Sequence, residues 1–260
     1  MSEGVLPGGL PYFTAGEGRP LVYLPGFNPS HHNPSPTGRK MLARTMRPFV
    51  AAGRKVYFVN RKPGMRLGST MSDVADDHAK ALHEYFREPV DVIGHSTGGS
   101  IALQLIVDHP EVVRRGVVAS TAYALGPVAK GAQLEMARRL AQGRPGYHLL
   151  VPGMVKHRVP RAVLGGLLWA VGLVLPKPKD PSDMLAMMTA EDGFDVYDRL
   201  PRVTTPTLVI CGARDHFWTP EMFAETAARM PGGTLVMYPG AGHGVITKRE
   251  YHRDVLAFLR

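Results

Sequence analysis

The 260-residue chain predicts an α/β fold: a mostly parallel central sheet flanked by helices, with a helical segment inserted ahead of its last strands. Three observations carry that prediction. Short apolar runs recur at 21–24, 56–59, 90–93, 117–119, 208–211 and 235–238, each continuous rather than alternating. Continuity is what strands covered on both faces require. Helix-like stretches lie between several of the runs, so strand and helix alternate. Finally, from residue 123 to roughly 190 no convincing strand occurs, and a stretch of nearly 70 residues is too long for a plain loop.

The elements follow in chain order. The run at 21–24 empties into Pro25-Gly26-Phe27-Asn28. Residues 72–86 are polar with apolar positions at helical spacing, and Glu88-Pro89 stops them. The run at 90–93 leads into Gly94-His95-Ser96-Thr97-Gly98, and the apolar helix 100–107 ends at His109-Pro110. The strandless region holds helix-like pieces at 133–141, 161–174 and 182–189, broken by glycine and proline. The run at 208–211 precedes Asp215, and Pro220 opens a helix in the favoured first position. That amphipathic helix, 221–230, stops at Pro231-Gly232, and the run at 235–238 precedes a glycine-rich loop bearing His243. The expected organisation is a core of 1–122 and 191–260, with a helical cap of 123–190 seated over one edge of the sheet.

Composition narrows the function classes. Apolar residues are 44% and charged residues 20%, which excludes a disordered chain. A single cysteine, Cys211, excludes an internal disulfide framework and a cysteine metal cluster. Residues 1–10 lack the basic start of a secretory signal. The longest apolar run, 163–175, is shorter than the ~20 residues of a span. A cytoplasmic protein without integral membrane association is therefore expected. The formal charge is +9 and unevenly placed. Nine basic residues and no acid lie in 39–66; nine basic residues and only Glu135 lie in 130–179. A solvated basic face explains such runs, and so does a surface that attracts anions. Aromatics are not interleaved with the charge, so no nucleic-acid partner is expected. No zinc spacing, P-loop or dinucleotide turn is present, so no cofactor and no metal are expected.

Ser96 carries the strongest chemical signal. A strand, then G-x-S-x-G, then a helix forms a turn that strains the serine backbone and thrusts its hydroxyl out at the carboxyl end of the sheet. Residues two before and two after the serine crowd each other, and Gly94 and Gly98 meet that need. A serine hydroxyl needs a base, and the base needs an orienting acid. Of eleven histidines, His243 is preferred because it sits on a glycine-rich loop directly after a strand, and most others have plainer explanations. His78 and His83 lie on an amphipathic helix, five apart; His109 is in a helix stop; His252 is on the terminal helix; His31 and His32 follow the first loop and read as surface loop, with a pocket lining as the alternative. Asp215 follows a strand predicted beside the one before His243; Asp192 and Asp195 are its alternatives. Backbone N–H groups of Thr97 and Phe27 are the expected oxyanion donors, with Gly26 allowing the close approach.

Ser96, Asp215 and His243, in that order on this strand pattern, resemble the α/β-hydrolase superfamily, and the resemblance covers nearly the whole chain. It implies a Ser–His–Asp triad, a two-point oxyanion hole at Phe27 and Thr97, and a cap inserted before the acid. It further implies a serine hydrolase of carboxylic esters or related acyl bonds. A serine nucleophile speaks against the dehalogenase and epoxide hydrolase branches, which use aspartate. Carbon–carbon bond hydrolase, lactonase, thioesterase and perhydrolase chemistry stay open alternatives, and a non-catalytic ligand-binding member is a more distant one. The substrate expected is a small hydrophobic molecule, with a homodimer left open. Trp169, Met184 and Met188 of the insert and Phe217 of the core are the expected substrate contacts.

Overall fold

A computed structural model describes residues 1–175 and 177–260. Strands β1 (Glu3–Val5), β2 (Pro11–Ala15) and β3 (Arg19–Leu24) come first. Helices α1 (Pro36–Thr45) and α2 (Arg47–Ala51) lead to β4 (Arg54–Val59). Then α3 (Met71–Phe86), β5 (Val90–His95), α4 (Thr97–Asp108) and β6 (Val113–Ala119) alternate. The insertion holds α5 (Ala132–Ala141), α6 (Val151–Met154), α7 (Arg158–Val174) and α8 (Pro181–Asp192). The chain closes with β7 (Thr207–Gly212), α9 (Pro220–Arg229), β8 (Gly233–Tyr238) and α10 (Arg249–Phe258).

The eight strands form one sheet in the order β1-β2-β4-β3-β5-β6-β7-β8. β1–β2 and β2–β4 pair antiparallel, and every pair from β4–β3 to β7–β8 is parallel. The strand period of two divides the central strands between two apolar layers. Val22 and Leu24 join the layer built with α3, α4, α9 and the insertion, whereas Leu21 and Tyr23 join the layer built with α2 and α10. Local chemistry sets the helix starts. Thr70 and Asp73 form a reciprocal capping box on α3, and Thr219 caps α9 just ahead of Pro220.

Three expectations need correction. The run at 235–238 is not covered on both faces: β8 is an edge strand, and Leu235 is exposed. The basic run 39–66 is not a continuous solvated face, because Arg54 is buried on Asp91 and Arg61 on Asp183. His31 is not on a surface loop; it is buried, with Nδ1 3.3 Å from Asp183.

The insertion is tied shut at its base. An antiparallel bridge joins Ala124 to Asp195, and the Val196 N–H donates to Tyr123 O at 2.9 Å. Asp183 on α8 accepts from Arg61 Nε at 2.8 Å and from the N–H groups of Gly64 and Met65, fastening α8 to the loop after β4. Among the described residues, no helix is long and apolar enough to cross a membrane.

Candidate active site

The turn after β5 is built by steric exclusion. Ser96 adopts φ 54° and ψ −125°, a positive φ that a side-chain-bearing residue adopts only under constraint. A Cβ on Gly94 would lie 2.1 Å from Gly98 O, and one on Gly98 would lie 2.0 Å from Leu24 O. Only glycine fits either place. The serine is thereby projected from the carboxyl edge of the sheet, and α4 begins immediately behind it. Ser96 does not cap α4 with its side chain, so its hydroxyl remains available.

Two distant segments meet that hydroxyl. His243 Nε2 is 3.0 Å from Ser96 Oγ, and His243 Nδ1 is 2.8 Å from Asp215 Oδ2. Asp215 is almost fully buried, and its other oxygen accepts the Phe217 N–H at 2.9 Å. β7 and β8 are adjacent and parallel, so Asp215 and His243 emerge side by side from the same edge. The alternatives Asp192 and Asp195 are elsewhere: they accept from the N–H groups of Gly131 and Tyr197.

The imidazole of His243 is also held from behind. Its own carbonyl accepts from Ser120 Oγ at 2.8 Å and lies 3.2 Å from His95 Nε2. A carbonyl can only accept, so His95 carries its proton on Nε2. Burial, and secondarily the electrostatic influence of the neighbouring imidazole, pushes His95 down to about 3, which keeps it neutral. Trp218 lies nearly parallel to the His243 ring at 5.7 Å and donates its indole N–H to Ala124 O. Phe217 packs at 4.7 Å from the same ring.

A cavity of about 450 Å³ opens over Ser96 and His243. Phe27 and Thr97 both line it, and a Cβ on Gly26 would lie only 3.3 Å from Ser96 Cβ. Thr97 is the first residue of α4, where N–H groups have no partner within the helix. Phe217 also lines the cavity, with Trp218, Met136, Leu150 and Met154. Other expected substrate contacts fall outside it. Trp169 lies on α7, half exposed to solvent, and does not reach the cavity. Met184 is wholly buried in the apolar layer beneath α8, and Met188 is buried beside Ile101 and Met187. The methionines of α8 pack the insertion onto the core.

Sequence reasoning missed Glu191. This α8 residue is fully buried, accepts from Ser100 Oγ at 2.9 Å and lies 3.2 Å from Gln133 Nε2. It therefore links α4, directly behind Ser96, to α5, whose Gln133 and Met136 wall the cavity. Burial pushes its carboxyl up to about 7, against hydrogen bonds that pull the other way. An acid closing an otherwise apolar helix segment was the one available signal. Elsewhere, His31, Asp180 and Asp183 lie close enough to share a cation. Arg61 already supplies a positive charge to Asp183 there, and Asp180 caps α8 through the Asp183 N–H.

The chain belongs to the alpha/beta hydrolase family, whose sequence profile matches residues 21–257. It is 25% identical over 244 residues to (E)-2-((N-methylformamido)methylene)succinate hydrolase of Acinetobacter baylyi, spanning 90% of this chain and 87% of that one. Its fold is similar to that of a thermophilic esterase from Thermogutta terrifontis, with TM-score 0.70, 22% identity, and coverage of 96% of this chain and 93% of that one. It is also similar to the enol-lactonase from Burkholderia xenovorans LB400, with TM-score 0.67, 20% identity, and coverage of 99% of both chains.

Proposed function

We propose that the protein is a serine hydrolase cleaving a carboxylic ester or related acyl bond by an acyl-enzyme route. One observation carries the reading: a single imidazole, His243, within hydrogen-bond distance of Ser96 Oγ on one side and Asp215 on the other. In the first step Ser96 Oγ attacks the carbonyl carbon while His243 Nε2 takes its proton. Asp215 holds the ring by Nδ1–H and stabilises the imidazolium. The N–H groups of Thr97 and Phe27 receive the developing oxyanion. His243 returns the proton to the leaving alcohol, then draws one from water to release the acid and free Ser96.

The segment 123–190 acts as a cap in this reading, because Ala129, Gln133, Met136, Leu150 and Met154 form one side of the cavity. The cavity wall supports a neutral, hydrophobic acyl substrate. Among the described residues, no Lys, Arg, Asp or Glu lines it, and its polar groups are Asn, Gln, Ser, Thr, His and Tyr. A substrate bearing free carboxylates, as the name of the Acinetobacter relative describes, would lose its hydration there without a counter-charge.

A fluorophosphonate probe should label the wild type at Ser96 and leave Ser96→Ala unlabelled. A panel of esters, thioesters, lactones and vinylogous diketones, each as neutral and carboxylated versions, reads the substrate class. Neutral members should be turned over, and Ser96→Ala should lose at least about 10⁴-fold. Equal turnover by wild type and mutant would refute the nucleophile; preference for carboxylated members would refute the substrate class.

A further inference from the structure

α7 departs from the rule that a helix apolar on all sides is buried. From Ala162 to Leu175 it carries no charged or polar side chain, yet none of its residues is buried. Only one line, Leu164, Leu168 and Gly172, leans on the segment before it, where Gly172 meets Pro145. Val159, Val163, Leu167, Leu173 and Val174 face solvent, each more than half exposed, and Trp169 is 49% exposed. Contiguous apolar surface of this kind marks an interaction site.

Charge decides the occupant. Lys156, Arg158 and Arg161 stand at the start of α7, and Lys177 and Lys179 just beyond its end. In 130–179 the only acid is Glu135, which pairs with Arg139 on α5. Both ends of the helix are basic, so a second copy laid on α7, parallel or antiparallel, brings like charges together. An anionic lipid surface has the opposite sign and an apolar layer within reach. We propose that α7 docks flat on an anionic bilayer, its apolar face at the level of the headgroups and its basic ends on the lipid phosphates. The helix has 17 residues, and the span criterion is not met, so it lies on the membrane rather than across it. Met154, which lines the cavity over Ser96 and is itself half exposed, ends α6 four residues before α7 begins. Docking therefore brings the cavity rim to the lipid interface.

The test is flotation of the full chain with vesicles of phosphatidylcholine alone and of equimolar phosphatidylcholine and phosphatidylglycerol. The chain should float with the mixed vesicles only, and less so as salt rises. The chain has two tryptophans, and Trp218 is buried, so a blue shift of emission on adding mixed vesicles reports Trp169. Trp169→Phe should lose the shift and keep most of the flotation. Val163→Glu with Leu167→Glu should abolish flotation. Lys177→Gln with Lys179→Gln should weaken it roughly 30-fold. All these residues are exposed, so circular dichroism and the melting midpoint should match wild type. Three results would each overturn the proposal, the first two being absence of flotation with mixed vesicles and equal flotation with both compositions. A third is a wild-type dimer in sedimentation equilibrium that the double glutamate variant converts to monomer, which would assign the face to a second copy.

Discussion

Glu191 is a fully buried carboxyl paired, among the described residues, with no lysine or arginine, held by the Ser100 and Thr97 hydroxyls and the Gln133 amide. Its environment favours the neutral acid, which raises it to about 7 from an ordinary value of 4.5. Between those two values the folded chain holds a proton that the unfolded chain has released. Stability therefore falls as pH rises through that window, and the deficit is complete above about pH 7. Glu191→Gln removes the titration and still accepts from Ser100. It should be more stable than wild type above pH 7, by up to about 3 kcal/mol, and should lose that advantage near pH 4.5. Urea denaturation at both pH values measures this. An advantage that did not change with pH would disprove the account. Cys211 is the contrasting case: burial pushes its thiol up to about 12, so it packs as a small apolar residue.

Among the elements, the strand–turn–helix unit from β5 to α4 carries the most constraint. Its fit to β3 leaves no space at Gly98, where an added Cβ meets the backbone oxygen of Leu24. Backbone cannot swing aside as a flexible side chain can. Gly98→Ala should lower stability by about 1–3 kcal/mol. It should also lower turnover in the remaining folded protein, because Thr97 and Ser96 move with the turn. Gly240→Ala is the control: it lies on the loop leading to His243, and an added Cβ there meets nothing within 4 Å. It should change neither property. Thermal melts and ester turnover on both variants check this; equal effects would remove the steric explanation.

For the molecule as a whole, the insertion is fastened to the core by buried polar contacts as well as by apolar packing. Arg61 is the central piece, donating to Asp183 on α8 and, through Nη1, to Asn28 O at 2.9 Å. One guanidinium thus joins the insertion to the loop that carries Phe27. Removing Asp183 would leave that cation buried and unpaired, at a cost of about 3–5 kcal/mol. Asp183→Ala should therefore unfold at lower denaturant. Asp183→Leu combined with Arg61→Met should recover much of the loss, since no charge is then stranded. The double variant should still show reduced turnover, because the Asn28 loop has lost its tether. Full activity in the double variant would mean that the tether does not position the site.

Much was legible from residues close in sequence. Six apolar runs mark β3 to β8, Gly94 and Gly98 announce the turn at Ser96, and Pro220 marks the start of α9. β1 and β2 were not legible. Each is short, and each exists through antiparallel pairing that reaches, for β2, across to residues 56–59. The insertion was legible as helical but not in its facing. Trp169 and Met184 have similar apolar character; one stands in solvent and the other in the core.

The chain's sequence determined those features that depend on near neighbours: where a strand must give way to a turn, which residue the turn projects, and in what order serine, aspartate and histidine follow. Tertiary structure decided that an imidazole 147 residues from the serine arrives 3.0 Å away from it, and which helix faces are covered. The division has a physical cause. Steric exclusion at a turn acts over a few bonds and is written in the residues themselves, whereas burial depends on which distant segments arrive to exclude water.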